Sequence, residues 1–393
     1  MKITQIQSYI VENPWNPWFF VLLTTDTGLV GIGEGIGYHW SAAAQAYLKQ
    51  NQEKLFLGRD PHNIEKMVMD TRQMLGIDRG LGMVERSALS AVEMACWDLL
   101  GKHYGVPVYR LLGGLVHERL RTYANGWYND FDATDPQQWA SKAGRVVEMG
   151  YTALKFDPFG SAYRDLDPRQ FRLAVEIVRT IREAVGLDVG LIVEAHARFH
   201  PEAAIKAANA MESFDLLWFE APTLGYLGVD QLKEVTSRVN VPIGTDVAGI
   251  SDLVQASQFL GKRSVGVYQP DVGYSCGILE VKKMAALADA MGVFFAPHQS
   301  LGPVCMAASV QVAFSSPAFY IQESFGEFAY PSWTGALVPG SVEIRDGYIE
   351  PTERPGLGID FDTSIAEQHP LKGDRVIDLI SEGWEGRSDV LEE

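Results

Sequence analysis

The chain has 393 residues, 47% of them hydrophobic, which is enough apolar material for a large core and excludes global disorder. Asp and Glu number 50 against 33 Lys and Arg, a formal charge of -17 with no basic stripe, so DNA, RNA and anionic membranes are excluded as partners. No stretch of about 18 uncharged apolar residues occurs, so no spanning helix is expected.

Residues 1–35 read as a strand, a turn and a strand. The opening MKITQIQSYI alternates as strands do and lacks the apolar core of a signal peptide, so a cytoplasmic protein is expected. The strand at 19–24 runs into the hairpin signal Asp26-Thr27-Gly28 and on to Val30-Gly31-Ile32-Gly33. Trp15 and Trp18 fall between the first two strands, either as a structural staple or as a loop covering a pocket. From 41 to about 104 the pattern is helical, with Ala88, Val92, Ala95, Cys96, Leu99 and Leu100 at helical spacing. Cys96, Cys276 and Cys305 have no metal-ligand spacing and read as buried thiols.

After about residue 120 the rhythm changes. Strands are expected at 122–125, 153–156, 191–194, 216–220, 241–244, 265–269, 293–296 and 319–322. Helices are expected between them at 136–149, 168–184, 201–213, 229–238, 251–260, 278–290 and 303–313. Eight such units fit a closed (β/α) barrel. A doubly wound sheet competes, but Gly31-Ile32-Gly33 is a lone GxG that opens no helix, which disfavours an NAD-dependent dehydrogenase. The remainder carries a short strand at 341–345 and Pro355-Gly356-Leu357-Gly358. It is too small to stand alone and is expected to return to the N-terminal region.

The expected strand ends carry a ladder of acids. Glu194, Glu220 and Asp246 follow successive strands at intervals of 26 residues. In a barrel such ends converge on one mouth, where three acids repel one another unless a cation stands between them. Oxygen ligands without Cys or His select Mg²⁺ over zinc. Further polar groups sit at matching places: Lys155 and Asp157 on the second strand, His196 two past Glu194, then Asp271, His298 and Glu323. Continued extended geometry would point Glu194 and His196 to one face. The other histidines His62, His103, His117 and His369 read as structural. The chemistry these groups suit is proton abstraction beside a carboxylate, with Asp271 orienting His298 as base and His196 protonating a leaving hydroxyl. Together these steps are a β-elimination of water.

Several motifs then resemble one family over essentially the whole chain. They are Val30-Gly31-Ile32-Gly33-Glu34, Ala91-Val92-Glu93-Met94-Ala95-Cys96-Trp97-Asp98, Leu111-Leu112-Gly113-Gly114, and Tyr123-Ala124-Asn125-Gly126-Trp127-Tyr128. Ala153-Leu154-Lys155-Phe156-Asp157-Pro158-Phe159-Gly160, Gln269-Pro270-Asp271, Ala296-Pro297-His298 and Pro355-Gly356-Leu357-Gly358 complete the set. The chain resembles the mandelate racemase subgroup of the enolase superfamily, most closely its gluconate- and galactonate-type acid-sugar dehydratases. The resemblance implies an α/β fold, a modified (β/α)7β TIM barrel at 121–329. An α+β capping domain at 1–120 would cover it, joined by a C-terminal segment at 330–393. It further implies a metal triad of Glu194, Glu220 and Asp246, the Asp271–His298 dyad as base, His196 as acid, and Glu323 as the acid that hydrogen-bonds an enediolate oxygen. The loop with Trp15 and Trp18 would contact the distal part of the substrate.

Three positions depart from the family pattern. The usual Lys-x-Lys of racemases is Lys155-x-Asp157, Glu-Glu-Pro is Glu220-Ala221-Pro222, and the fifth-strand Glu is Asp246. The reading reached is a Mg²⁺-dependent lyase that removes water from an aldonate such as gluconate or galactonate to give a 2-keto-3-deoxy acid. The alternative is an epimerase, racemase or cycloisomerase with the same metal site. Lys155, Asp157, Arg198, Asn125 and Trp18 are candidates for substrate contact, and Tyr38 and His39 stand as either mouth or solvent residues. The expected partners are a small acid-sugar substrate and further copies of the chain, as a dimer or octamer.

Overall fold

The computed structural model describes residues 1–74, 81–245, 252–373 and 378–384. Three antiparallel strands open the chain, β1 (Ile3–Val11), β2 (Trp18–Thr25) and β3 (Val30–Gly35), in that order across the sheet. Helices α1 (Ser41–Leu55), α2 (Ile64–Met74) and α3 (Met83–Tyr104) follow. Strand β2 is apolar from Trp18 to Leu23 because each face has its own partner. Phe19, Val21 and Leu23 join a core with Ala44, Leu48, Ala88 and Val92, while Trp18, Phe20 and Leu22 join another with Val281, Leu301 and Val304. The Gly31-Ile32-Gly33 pattern has a packing cause. A Cβ on Gly31 or Gly33 would stand 2.2 Å from the Ala95 carbonyl oxygen or 1.9 Å from that of Ala91, so β3 lies directly on the backbone of α3.

Eight parallel strands then form a ring: β4 (Leu120–Ala124), β5 (Ala153–Phe156), β6 (Gly190–Glu194), β7 (Leu216–Glu220), β8 (Ile243–Thr245), β9 (Val267–Tyr268), β10 (Phe294–Phe295) and β11 (Gln322–Ser324). Neighbours in sequence are neighbours in the sheet, and β11 pairs with β4. The ring closes where Phe295 N donates to Ala318 O at 2.9 Å and Tyr320 N donates to Phe295 O at 2.8 Å. Three of the helices between strands start where the sequence offers a cap: Asp135, Asp167 and Asp252 each accept backbone N–H groups at the first turn, two of them before a proline.

Inside the ring, Tyr123, Ala153, Ile192, Trp218 and Val267 from five strands pack with Ala296, just after β10, and Ile321, just before β11. This layer plugs the barrel. Because side chains alternate along a strand, the residue two places further on also points inward, one layer nearer the C-terminal mouth. Those residues are Asn125, Lys155, Glu194, Glu220, Gln269, His298 and Glu323, all buried.

The strand expected at 341–345 does not form. The strand β12 (Tyr348–Ile349) pairs antiparallel with Arg121 and Leu120 instead, and Arg345 contributes only a bridge to Tyr348. The cause is the tight turn at Asp346 and Gly347, with φ of 50° and 74°, while Ser341 N is taken by Val338 O. The chain then reaches the N-terminal sheet, where Glu12 N donates to His369 O and Leu371 N to Ile10 O. The ring of Trp333 stacks on His369 at 3.9 Å. The three cysteines are buried and unbridged, and among the described residues no helix is long and apolar enough to cross a membrane.

Candidate active site

Strand register places Glu194 directly beside Glu220 at the ends of β6 and β7. On β5, the Lys155 ammonium stands 2.6 Å from Glu220 Oε1, 2.7 Å from Glu323 Oε1 and 3.5 Å from Glu194 Oε2. Burial opposes the charge on Lys155, but Glu220, Glu323 and Glu194 outweigh it and hold its pKa well above the ordinary lysine value. Glu220 also accepts from Trp218 Nε1 at 2.9 Å, and Glu194 accepts from the His196 backbone N–H at 2.5 Å. Burial pushes the Glu220 carboxyl up to about 8; Lys155 pulls it down and Glu194 raises it further. Asp246 lies outside the described residues, and among those described no set of three acids, histidines or cysteines could hold a metal ion.

On the opposite side of the mouth, His298 Nδ1 lies 2.7 Å from Asp271 Oδ2. Asp271 is fully buried and also accepts from Gly273 N at 2.6 Å. Burial raises the Asp271 pKa, against the pull of His298 and the Gly273 N–H. A carboxylate on Nδ1 fixes the tautomer with Nδ1–H toward Asp271 and leaves Nε2 with its lone pair. Nε2 lies 3.4 Å from Ser300 Oγ, which is 3.0 Å from the hydroxyl of Tyr38. Tyr38 thus reaches the mouth from the N-terminal unit, whereas His39 is exposed.

A second histidine–carboxylate pair flanks Lys155. His196 Nδ1 lies 2.6 Å from Asp157 Oδ2, and Arg198 ion-pairs with the same oxygen. The extended geometry expected past Glu194 does not continue. β6 ends there, and His196 and Ala197 take φ of 45° and 53°, so Asp157 and the turn rather than strand alternation orient the ring. The indole of Trp384 packs edge-on against the His196 ring with centroids 5.5 Å apart.

Four candidate substrate contacts are placed differently from expectation. Trp18 is 1% exposed, with its ring against Phe20, Tyr330 and Trp333, so it staples the N-terminal sheet to the C-terminal segment and does not line the mouth. Its neighbour Trp15 packs on Phe325, just beyond Glu323. Arg198 is equally buried and spends its guanidinium on Ala195 O, Gly160 O and Asp157. Asp157 is occupied in turn by Arg198, His196 and Phe159 N. Asn125 donates to Glu323 Oε1 at 2.8 Å and accepts from Gly126 N and the Tyr128 hydroxyl, which makes it a support for Glu323. Glu323 itself also accepts from Gln299 N at 2.7 Å. Burial would raise its pKa, but Lys155 and His298 pull it down to about 2.

Gln269, Ser300 and Trp384 join the mouth without having been singled out as site residues, and of the pair weighed between mouth and solvent only Tyr38 reaches it. Gln269 is fully buried and neither amide atom is hydrogen-bonded among the described residues; the alternation Val267, Gln269, Asp271 was the signal that could have found it.

Comparison with known proteins agrees with this architecture. Residues 13–113 match the mandelate racemase / muconate lactonizing enzyme N-terminal domain, and residues 138–365 the enolase C-terminal domain-like family. A D-gluconate/D-galactonate dehydratase of Picrophilus torridus is 34% identical over 361 residues, covering 91% of this chain and 90% of that protein. A D-gluconate dehydratase of Thermoproteus tenax is 34% identical over 89% of this chain and 69% of its own length. A solved structure of a mandelate racemase/muconate lactonizing enzyme from Burkholderia SAR-1 superimposes with a TM-score of 0.91. That protein is 33% identical to this chain, and the match covers 97% of each.

Proposed function

The chain belongs to the mandelate racemase / muconate lactonizing enzyme family of the enolase superfamily, and from that premise we propose that it is a hydro-lyase acting on an acid sugar. The proposed reaction converts an aldonate of the gluconate or galactonate type to its 2-keto-3-deoxy acid. One observation carries the reading: two histidine–carboxylate pairs, His298–Asp271 and His196–Asp157, border one cluster of acids. An elimination of water needs a base for the C2 proton and an acid for the C3 oxygen, and one ring of each pair supplies them.

The metal proposed for this site is Mg²⁺. Glu194 and Glu220 present hard oxygen donors side by side and already accommodate a cationic Nζ, and Glu220 is pushed up to about 8 when only that ammonium compensates it. The residues present therefore fit a divalent cation, with Asp246 as the proposed third ligand. When bound there, the ion would supply Lewis-acid stabilisation of charge on the substrate carboxylate.

His298 Nε2 takes the proton from C2, and Asp271 stabilises the imidazolium that results. The electron pair left at C2 delocalises into the substrate carboxylate as an enediolate, beside the Lys155 ammonium. Collapse of the enediolate expels the C3 hydroxyl, which leaves as water with the proton of His196. The enol tautomerises to the ketone. An epimerase would need a second base beside β5, but Asp157, just past that strand, is buried and already held by His196 and Arg198.

The test is a panel of aldonate and aldarate stereoisomers with Mg²⁺, monitored for 2-keto acid. Absence of product from every acid, while a characterised relative turns over its own substrate alongside, would refute the dehydratase reading. The His298→Asn variant is expected to lose exchange of the C2 proton with deuterated water; exchange at the wild-type rate would remove His298 as base.

A further inference from the structure

Two loops of the mouth are held from outside the barrel. The connection from β9 to the helix Ile278–Ala290 carries Asp271, and that from β10 to the helix Pro303–Phe314 carries His298. Neither helix begins with a side-chain cap of its own, since Gly277 and Gly302 occupy the cap positions. The N-terminal unit supplies the acceptors that are missing. Glu34 of β3 accepts from Gly302 N at 2.5 Å, Val304 N at 3.0 Å and Cys305 N at 2.9 Å. Glu93 of α3 accepts from Ile278 N at 2.7 Å and Leu279 N at 2.9 Å, and is held by Trp97 Nε1 at 2.7 Å. The two glycines make room for these carboxyls. A Cβ on Gly302 would stand 2.4 Å from Glu34 Oε1, and one on Gly277, at φ 97°, would stand 2.0 Å from Glu93 Oε2.

We propose that Glu34 and Glu93 are positioning residues, which anchor the first turns of these two helices and so set the loops that bring His298 and Asp271 to 2.7 Å. The catalytic meaning of this rests on the role proposed above for that pair. A third buried carboxyl provides an internal control. Asp98 accepts from Ile32 N and Leu357 N and pairs with Lys102, so it joins the N-terminal unit to the C-terminal segment and touches neither loop.

The experiment combines amide hydrogen exchange, carbethoxylation of His298 by diethyl pyrocarbonate, which needs no substrate, and calorimetric titration with Mg²⁺. Glu34→Leu is expected to speed exchange at 298–305 about tenfold or more and leave 271–279 unchanged; Glu93→Leu is expected to do the reverse. Both should alter the carbethoxylation rate of His298 and leave Mg²⁺ affinity intact, because Glu194 and Glu220 stand on other strands. Asp98→Ala should lower Tm and change neither loop. Should a leucine variant fail to fold, Glu34→Asp, one methylene too short to reach all three donors, is expected to give the same loop-selective pattern at smaller size. Uniform loosening, unchanged His298 reactivity, or loss of Mg²⁺ affinity in parallel would overturn the proposal. If the wild type exchanges no C2 proton from any acid, the proposed reaction fails, and the loop and carbethoxylation results still decide the positioning role by themselves.

Discussion

Replacing Lys155 by Met removes the positive charge at the centre of the mouth and leaves a side chain of similar length. At an effective dielectric of about 20, charges 2.6 to 3.5 Å apart attract by roughly 5–6 kcal/mol per pair, and the ammonium makes such contacts with Glu220, Glu323 and Glu194. Much of that offsets the cost of burying the charges, so the net loss on breaking the cluster is about 3–5 kcal/mol. With about 2–4 °C per kcal/mol for a barrel of this size, the metal-free variant is expected to melt about 10 °C below wild type. Excess Mg²⁺ should return most of the loss, since a divalent cation held as proposed by Glu194 and Glu220 would compensate the same acids. The assay is thermal unfolding of both proteins with chelator and with Mg²⁺. An unchanged Tm in chelator would show that the ammonium does not compensate the acids. A loss that Mg²⁺ leaves unrepaired would show that the acids do not hold the cation.

Asp157→Asn leaves the buried Arg198 without its counter-charge and His196 without its orienting carboxylate. A stability loss of about 3 kcal/mol is expected, with 2-keto acid formation falling more than C2 proton exchange; equal loss of both would remove His196 as the acid. Burial pushes Glu34 up to about 8 and Glu93 up to about 7, against the backbone N–H groups that pull both down. Between the ordinary 4.5 and those values the folded chain holds protons that the unfolded chain has lost. Their stabilising share is therefore complete below about pH 4.5 and is lost as pH rises through 7 to 8. Urea midpoints of wild type and Glu34→Leu should accordingly converge between pH 5 and pH 8, and a constant gap would contradict the raised value. Trp18→Ala is expected to cost about 3–5 kcal/mol in unfolding experiments and to leave KM unchanged, whereas a raised KM in a stable variant would return Trp18 to the substrate.

Read alone, the sequence settled the features that depend on local periodicity. Apolar strands alternating with helical stretches imply a ring of βα units, and period-2 alternation dictates that a polar residue closing a strand points where its plug residue points. That is why Lys155, Glu194, Glu220, His298 and Glu323 are legible as one group in the sequence. The side-chain partners at the mouth were not legible, because they depend on distances between residues far apart in the chain. Only the tertiary structure shows that Asp157 belongs to His196 and Arg198, that Asn125 serves Glu323, and that Trp18 is sealed against Tyr330 and Trp333. The same holds for Glu34 and Glu93. In sequence they are acids inside apolar motifs; once folded they meet helix ends whose backbone N–H groups have no nearer acceptor, because a buried donor must find a partner wherever the fold provides one.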